Sequence, residues 1–104
     1  MMPTYLVSMR VEPSHPCLPG HFPGHPLVPG VVLLEKVADA LRDWRGQRVA
    51  RIVEAKFIAP LFPGETAEIT MSETGTRVRF EIRRDDVLLA RGQVEGSQIE
   101  EALA

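Results

Sequence analysis

The chain has 104 residues, of which 44% are hydrophobic and 25% charged, and its formal net charge is −2. This size predicts a single domain over residues 1–104 that has its own core but too little bulk to enclose a long ligand, so we expect an oligomer. The nearly balanced charge, with no block of like charges, argues against nucleic acid as a partner. Neither a signal-peptide pattern nor a membrane-spanning apolar run is present, which predicts a cytoplasmic protein without membrane contact.

The first predicted element is a half-buried strand over residues 4–11. Its apolar side chains alternate with polar ones and are Tyr5, Val7, Met9 and Val11. A period of two is typical of a strand with one face on the core and the other in water.

A stiff loop follows, because prolines at positions 23, 26 and 29 restrict their own backbone angles and those of the residues before them. The loop contains His21, whose imidazole titrates near neutrality and whose neutral form accepts a proton. After Gly30 the sequence changes to an apolar run that predicts a helix. The first N–H groups of a helix stabilise negative charge, so we expect an anion-stabilising position beside this loop.

The predicted helix covers residues 31–45 and ends at Gly46, a favourable C-cap residue. Its apolar stripe is predicted to contain Val31, Leu34, Ala38 and Leu41. Glu35 lies on this stripe, and we therefore expect its carboxyl group to be buried. Burial would raise the pKa of that carboxyl group, so Glu35 is predicted to be a proton donor close to a proton acceptor, His21.

The remainder of the chain is predicted to be β-structure, with strands near residues 48–59, 66–73, 76–84 and 87–95. Short turn signals between these runs favour antiparallel neighbours. One apolar helix among several strands indicates the α+β class, with a curved antiparallel sheet wrapped around the helix. Residues 97–104 are predicted to form a short helical turn or a frayed tail.

Other interpretations of the polar residues also exist. Glu35 is alternatively a solvated carboxylate, or the ion-pair partner of Arg10 or Arg51. A zinc site built from His15, His21 and His25 is disfavoured because the intervening prolines prevent helical spacing and no second ligand cluster exists, so we predict no metal. Cys17 has no partner for a disulfide and no obvious activating base, which favours a structural role.

Four arginines crowd the end of the helix and the next strand, at positions 42, 45, 48 and 51. They form either a surface that receives an acidic, phosphate-bearing partner or a solvated basic face. The apolar helix residues between them and Gly30 are predicted to be core or dimer packing.

Two motifs carry a family resemblance that spans roughly residues 15–95. The first comprises His21-Phe22-Pro23-Gly24, Pro26, Pro29-Gly30-Val31 and Glu35, and the second comprises Lys56-Phe57, Pro60 and Pro63-Gly64-Glu65. Together they resemble the signature of the 3-hydroxyacyl-ACP dehydratases, the FabA/FabZ family of hotdog-fold proteins. The run from Pro26 to Leu34 is more similar to the small dehydratases of aryl-polyene pathways, the ApeI-like branch.

The resemblance implies dehydration of a 3-hydroxyacyl thioester, carried on acyl carrier protein or CoA, to a trans-2-enoyl thioester in fatty-acid or polyene-type biosynthesis. His21 would remove the α-proton, the Gly30 N–H would stabilise the oxyanion, and Glu35 would protonate the leaving hydroxyl group. The implied substrate-binding residues are Phe22, Leu27, Gly30 and Val31, with Phe57, Leu61 and Phe62 as candidate tunnel walls. No cofactor is implied. The active site would lie at the interface of a homodimer or higher homo-oligomer, with the histidine of one subunit facing the acid of the other.

Asp39 is a departure from the family pattern, because a glutamine usually stands four residues after the acid. Glu65 is a second departure, since an aspartate is common after the Pro-Gly pair. Two further functions therefore stay open: thioester hydrolysis, as in other hotdog proteins, and non-catalytic binding of an acyl carrier as a partner subunit. Isomerisation of the enoyl product is a third possibility for which the sequence contains no test.

Overall fold

The protein consists of a five-stranded antiparallel sheet and one helix in a computed structural model that describes residues 4–13 and 27–99. In chain order the elements are β1 (Thr4–Arg10), α1 (Gly30–Arg45), β2 (Gln47–Phe57), β3 (Thr66–Thr74), β4 (Arg77–Arg84) and β5 (Val87–Gln98). The strand order in the sheet is β1-β3-β4-β5-β2, and every neighbouring pair is antiparallel. The predicted α+β class is confirmed.

The strands agree with the predicted ones to within two residues, except at the C-terminal end. β5 continues to Gln98, and its last residues pair with the first residues of β2: Ser97 with Arg48 and Gln98 with Gln47. The helical turn predicted to start at residue 97 is therefore wrong, since these backbone groups belong to the sheet. Residues 100–104 lie outside the described residues.

The buried face of α1 differs from the predicted stripe. The buried residues of the helix are Val32, Leu33, Val37, Ala40 and Leu41. Of the predicted stripe only Leu41 is buried, whereas Val31 at the other end is 60% exposed. The sheet covers the adjacent side of the helix, and the predicted stripe faces the unpaired edge of β2 instead. The helix begins after Pro29, whose backbone is extended. It ends at Gly46, which adopts a left-handed conformation with φ 63° and donates its N–H to the Arg42 carbonyl.

The core lies between α1 and one face of the sheet. On β4 apolar and polar side chains alternate: Val78, Phe80 and Ile82 are buried, while Arg77, Arg79 and Arg83 are exposed. Each fully buried side chain of this size contributes about 1.5–3 kcal/mol relative to leaving it in water. The opposite face of the sheet is polar and charged.

Stacked aromatic rings hold the C-terminal end of α1 against the sheet. The Trp44 ring stacks on Tyr5 of β1 with 5.8 Å between ring centroids. The Arg45 guanidinium lies 4.4 Å from the centroid of Trp44 and pairs with Glu73 of β3. The N-terminal end of α1 is left at the other end of the sheet, beside the end of β2.

β2 forms one edge of the sheet, and among the described residues no strand lies beside the outer side of its backbone. Its pairing with β5 is interrupted between Val49 and Arg51 and again between Ile52 and Glu54. Such irregularities increase the local twist of a strand. In the part of the chain that the structure describes, no helix combines the length and apolarity needed to cross a membrane.

Candidate active site

A cavity of about 440 Å³ lies at the N-terminal end of α1. One wall consists of residues 27–30 with Leu33 of the helix, and the other consists of residues 57–61 at and after the end of β2. A hydrogen bond from the Val28 N–H to the Leu61 carbonyl, 2.9 Å long, joins the two walls. The walls of the cavity are almost entirely apolar side chains and backbone. Such a lining suits an acyl chain better than a polar metabolite.

Gly30 stands at the first position of α1, so its N–H has no acceptor within the helix. The ring of Phe57 lies directly over it: a Cβ atom added at this position would lie 2.8 Å from Cζ of Phe57. A glycine is thus required for the ring to pack against the helix start. The structure brings Gly30, Leu27, Phe57 and Leu61 together in this cavity.

Glu35 lies in a second, neighbouring groove of about 260 Å³ between α1 and β2. It is the one charged residue among those that line this groove; the others are Val31, Leu34, Val37, Ala38, Val49, Ile52 and Val94. The Glu35 side chain is exposed, so the predicted burial is wrong for the single chain. The cause is the orientation of α1, which turns this side of the helix toward the free edge of β2 rather than toward the sheet.

The predicted site residues thus divide between two neighbouring surfaces of the first helical turns. Leu27 and Gly30 line the cavity, whereas Val31 and Glu35 line the groove. His21 and Phe22, together with Cys17 and the other two histidines, lie outside the described residues. The arginines proposed as alternative partners of Glu35 are occupied elsewhere, because Arg10 pairs with Glu12 and Arg51 pairs with Glu95.

Asp39 lies one helical turn after Glu35, so the two carboxylates are neighbours along the helix but line different grooves. Asp39 is exposed and lines a third groove with Lys36 and Asp43 of α1 and residues 7–10 of β1. These three residues of α1 form a polar side of the helix. The position that usually carries a glutamine in the family is therefore occupied here by a carboxylate that lines a groove other than that of Glu35.

The four-arginine surface proposed from the sequence is partly neutralised. Arg45 pairs with Glu73, and Arg51 shares Glu95 with Arg77. Within residues 4–13 and 27–99, no group of three or more histidine, cysteine, aspartate or glutamate side chains is placed to hold a metal ion.

Glu65 of the second motif makes contacts that sequence analysis did not predict. Its Oε1 atom accepts hydrogen bonds from the Phe62 N–H at 2.8 Å and from Nη1 of Arg84 at 3.1 Å. The same Arg84 atom donates to the Pro60 carbonyl at 2.9 Å. The sequence identified Glu65 only as part of the second motif, and nothing in it singled out Arg84, which is 19 residues away and reaches Glu65 through strand pairing.

Comparison with known families and proteins gives a consistent result. The model of the ApeI-like family, described as ApeI dehydratase, matches residues 2–93. The 3-hydroxyacyl-[acyl-carrier-protein] dehydratase FabZ of Haemophilus influenzae is 35% identical over 72 residues, which are 60% of this chain and 49% of that protein. FabZ of Bradyrhizobium sp. is 33% identical over 79 residues, covering 65% and 52% of the two chains. The chain spans about half the length of the curated relatives it matches.

Solved structures show the same fold. A chain of the dehydratase heterocomplex ApeI:P from Xenorhabdus doucetiae superposes with a TM-score of 0.79 at 23% identity, covering 91% of this chain and 88% of that one. An uncharacterized protein from Erwinia carotovora subsp. atroseptica gives a TM-score of 0.75 at 25% identity, with coverage of 94% and 86%. The predicted hotdog fold is confirmed.

Proposed function

Because this chain belongs to the ApeI-like dehydratase family, we propose that it removes water from 3-hydroxyacyl thioesters to give trans-2-enoyl thioesters. The acyl group is carried on acyl carrier protein, with CoA as the alternative carrier, and the pathway is of the fatty-acid or polyene type. A carrier-bound substrate of this kind places the reaction in the cytoplasm. No cofactor takes part.

One observation supports this proposal above the others: an apolar cavity at the helix start lies beside an apolar groove that contains a single carboxyl group. Gly30 and Glu35 are five residues apart on α1, so the N–H that binds an oxyanion and the acid that serves a leaving group lie about 7.5 Å apart along the helix axis. The thioester carbonyl carbon and the β-carbon are only two bonds apart, so the Glu35 side chain has to cover the remaining distance to the β-hydroxyl group when the carbonyl points to the helix start.

In the proposed mechanism His21 takes the proton from the α-carbon. The electron pair moves into the thioester, and the resulting oxyanion accepts a hydrogen bond from the Gly30 N–H, which is already oriented by the helix. The double bond then forms between the α- and β-carbons as the β-hydroxyl group leaves. Glu35, in its acid form, gives that hydroxyl group a proton so that it departs as water. Proton exchange with solvent returns both side chains to their starting states.

We propose that the working form is a homodimer, or a larger homo-oligomer, in which a second copy covers the groove that contains Glu35. Two apolar side chains at the rim of this groove, Val31 at 60% and Ile52 at 46%, are exposed in the single chain. The neighbouring β2 edge has unpaired backbone groups. In such a dimer His21 is supplied by the opposite subunit. The heterocomplex named for the Xenorhabdus structure suggests the alternative that a related second chain takes this place.

The test is to incubate the purified protein with 3-hydroxyacyl-ACP of several chain lengths and to measure the intact mass of the acyl-carrier species. We expect the loss of one water, and its absence in the variants His21→Ala and Glu35→Gln. Asp43→Asn is the matched control, since it removes an exposed carboxylate of α1 that is eight residues away and lies in another groove. Release of the free carrier thiol would favour a thioesterase. Binding without any mass change would favour a non-catalytic partner subunit.

A further inference from the structure

The segment of residues 58–65, here called the wall segment, connects β2 to β3 and supplies most of one side of the cavity. Prolines at positions 60 and 63 remove two of its N–H donors and so interrupt strand pairing. Its place in the structure must therefore be held by other bonds. These are concentrated at three backbone sites and one pair of side chains.

The backbone bonds join the wall segment to three different parts of the molecule. Ile58 and Ala59 donate to the Leu89 carbonyl of β5 at 2.7 and 3.1 Å, and the Gly64 N–H donates to the Val11 carbonyl at 2.8 Å. In the middle, the Leu61 carbonyl accepts the Val28 N–H. This last bond connects the wall segment to the residues that lead into α1. A displacement of the backbone at Leu61 would therefore also displace Val28 and the residues between it and Gly30.

The side-chain pair consists of Glu65 and Arg84. Arg84 is the last residue of β4. Both are only partly exposed, at 35% and 24% of their side chains. Arg84 binds the carboxylate of Glu65 and the carbonyl of Pro60 with the same nitrogen, while Glu65 also closes its own turn through the Phe62 N–H. Hydrogen bonds that involve a charged group are stronger than neutral ones. The pair therefore holds the wall segment on both sides of Leu61.

We propose that Arg84 and Glu65 are positioning residues for the dehydration proposed above, on which this inference rests. They hold the Leu61 carbonyl in place for Val28 and thereby set the width of the cavity beside Gly30. Neither residue is among those that line the cavity. The longer glutamate, where the family commonly has aspartate, gives its carboxylate the reach to accept from Phe62 and Arg84 at once.

The first experiment measures hydrogen exchange of the Val28 amide, which needs no activity. We expect Arg84→Ala and Glu65→Ala to speed this exchange about tenfold or more, because each removes a charge-assisted hydrogen bond. Glu65→Gln keeps an acceptor oxygen at the same place and is expected to change it much less. The matched control is Arg83→Ala, since the neighbouring arginine binds Glu81 on the exposed face of the sheet. Unchanged Val28 exchange in Arg84→Ala, or an equal rise in Arg83→Ala, would overturn the proposal.

The second experiment compares kinetics for short and long acyl chains on the carrier protein. We expect Arg84→Ala to raise KM about tenfold for long chains and much less for a four-carbon chain, with a smaller change in kcat. A general loss of folded protein would instead lower the rate equally for all chain lengths, and thermal unfolding of each variant checks for it. If Arg84→Ala does not fold, Arg84→Lys, which keeps the charge but loses the planar fork, is expected to give an intermediate effect.

The two experiments also separate this inference from the proposed function. A wild-type protein that dehydrates nothing, but in which Arg84→Ala still releases the Val28 amide, would contradict the function and leave the positioning pair standing. The opposite outcome is also distinguishable. If the wild-type protein dehydrates its substrates and Arg84→Ala leaves KM unchanged for every chain length, the positioning role alone is contradicted.

Discussion

Among single residues, Gly30 is constrained most directly by the chemistry of the site. The Phe57 ring rests on its Cα, so the residue that presents the first helical N–H also forms part of the cavity wall. Phe57 is itself half exposed and its ring has space to move outward. A side chain at position 30 would therefore displace the ring rather than break the fold.

From this contact we predict that Gly30→Ala keeps the protein folded but lowers the dehydration rate at least about tenfold, since small displacements at a reacting centre are costly. Steady-state kinetics and thermal unfolding check the two parts. The second-site variant Phe57→Ala in the same chain removes the clash and should recover part of the rate. A Gly30→Ala variant with wild-type kinetics would show that the ring and the helix start are not coupled.

Gly92 illustrates a glycine whose role is structural. A Cβ atom there would collide with the Glu54 carbonyl of the neighbouring strand and lie 2.8 Å from the Phe80 ring in the core. We predict that Gly92→Ala lowers the free energy of unfolding by about 1–3 kcal/mol, as overpacked cores do. Denaturant unfolding measures this. Gly46→Asn is the control, because nothing lies within 4 Å of its Cβ position and asparagine tolerates the left-handed conformation.

At the level of elements, the strands and the helix were predictable because their signals are local. Alternation on β4 and the glycine after α1 depend on a few adjacent residues. The face of α1 that is buried was not predictable, since two overlapping apolar stripes exist and only the position of the sheet selects one. Arg84 was missed for the same reason: its contact with Glu65 depends on how β3, β4 and the wall segment are aligned, which no local pattern records.

The exposed groove between α1 and β2 gives a prediction at this level. We expect Ile52→Lys to prevent association of the subunits, because a charge would be buried against a second apolar groove. Size-exclusion chromatography with light scattering reports the mass, and circular dichroism reports the fold. Leu6→Lys is the control, a similar change at an exposed apolar residue of β1, at the other edge of the sheet. Equal masses for Ile52→Lys and wild type would rule out this groove as the interface.

For the whole molecule, the core side chains form one continuous cluster contributed by the helix and the strands, so we predict a single cooperative unfolding transition for the domain at residues 1–104. Trp44, the one tryptophan of the chain, stacks between Tyr5 and Arg45 and reports on the junction of helix and sheet. Its fluorescence and the far-ultraviolet circular dichroism should change together in guanidinium chloride. Because the proposed association of subunits stabilises the folded chain, the midpoint should rise with protein concentration. Separate transitions would mean that the helix and the sheet unfold independently.

The irregular pairing of β2 has a consequence for the behaviour of the protein in concentrated solution. A long, flat edge strand is a template for endless strand addition, which leads to fibrils. The two interruptions on β2 twist this edge, and the lysine and arginines along it oppose stacking of many copies. The edge thus resists growth into a polymer, so the irregular pairing of β2 also protects the chain from aggregation.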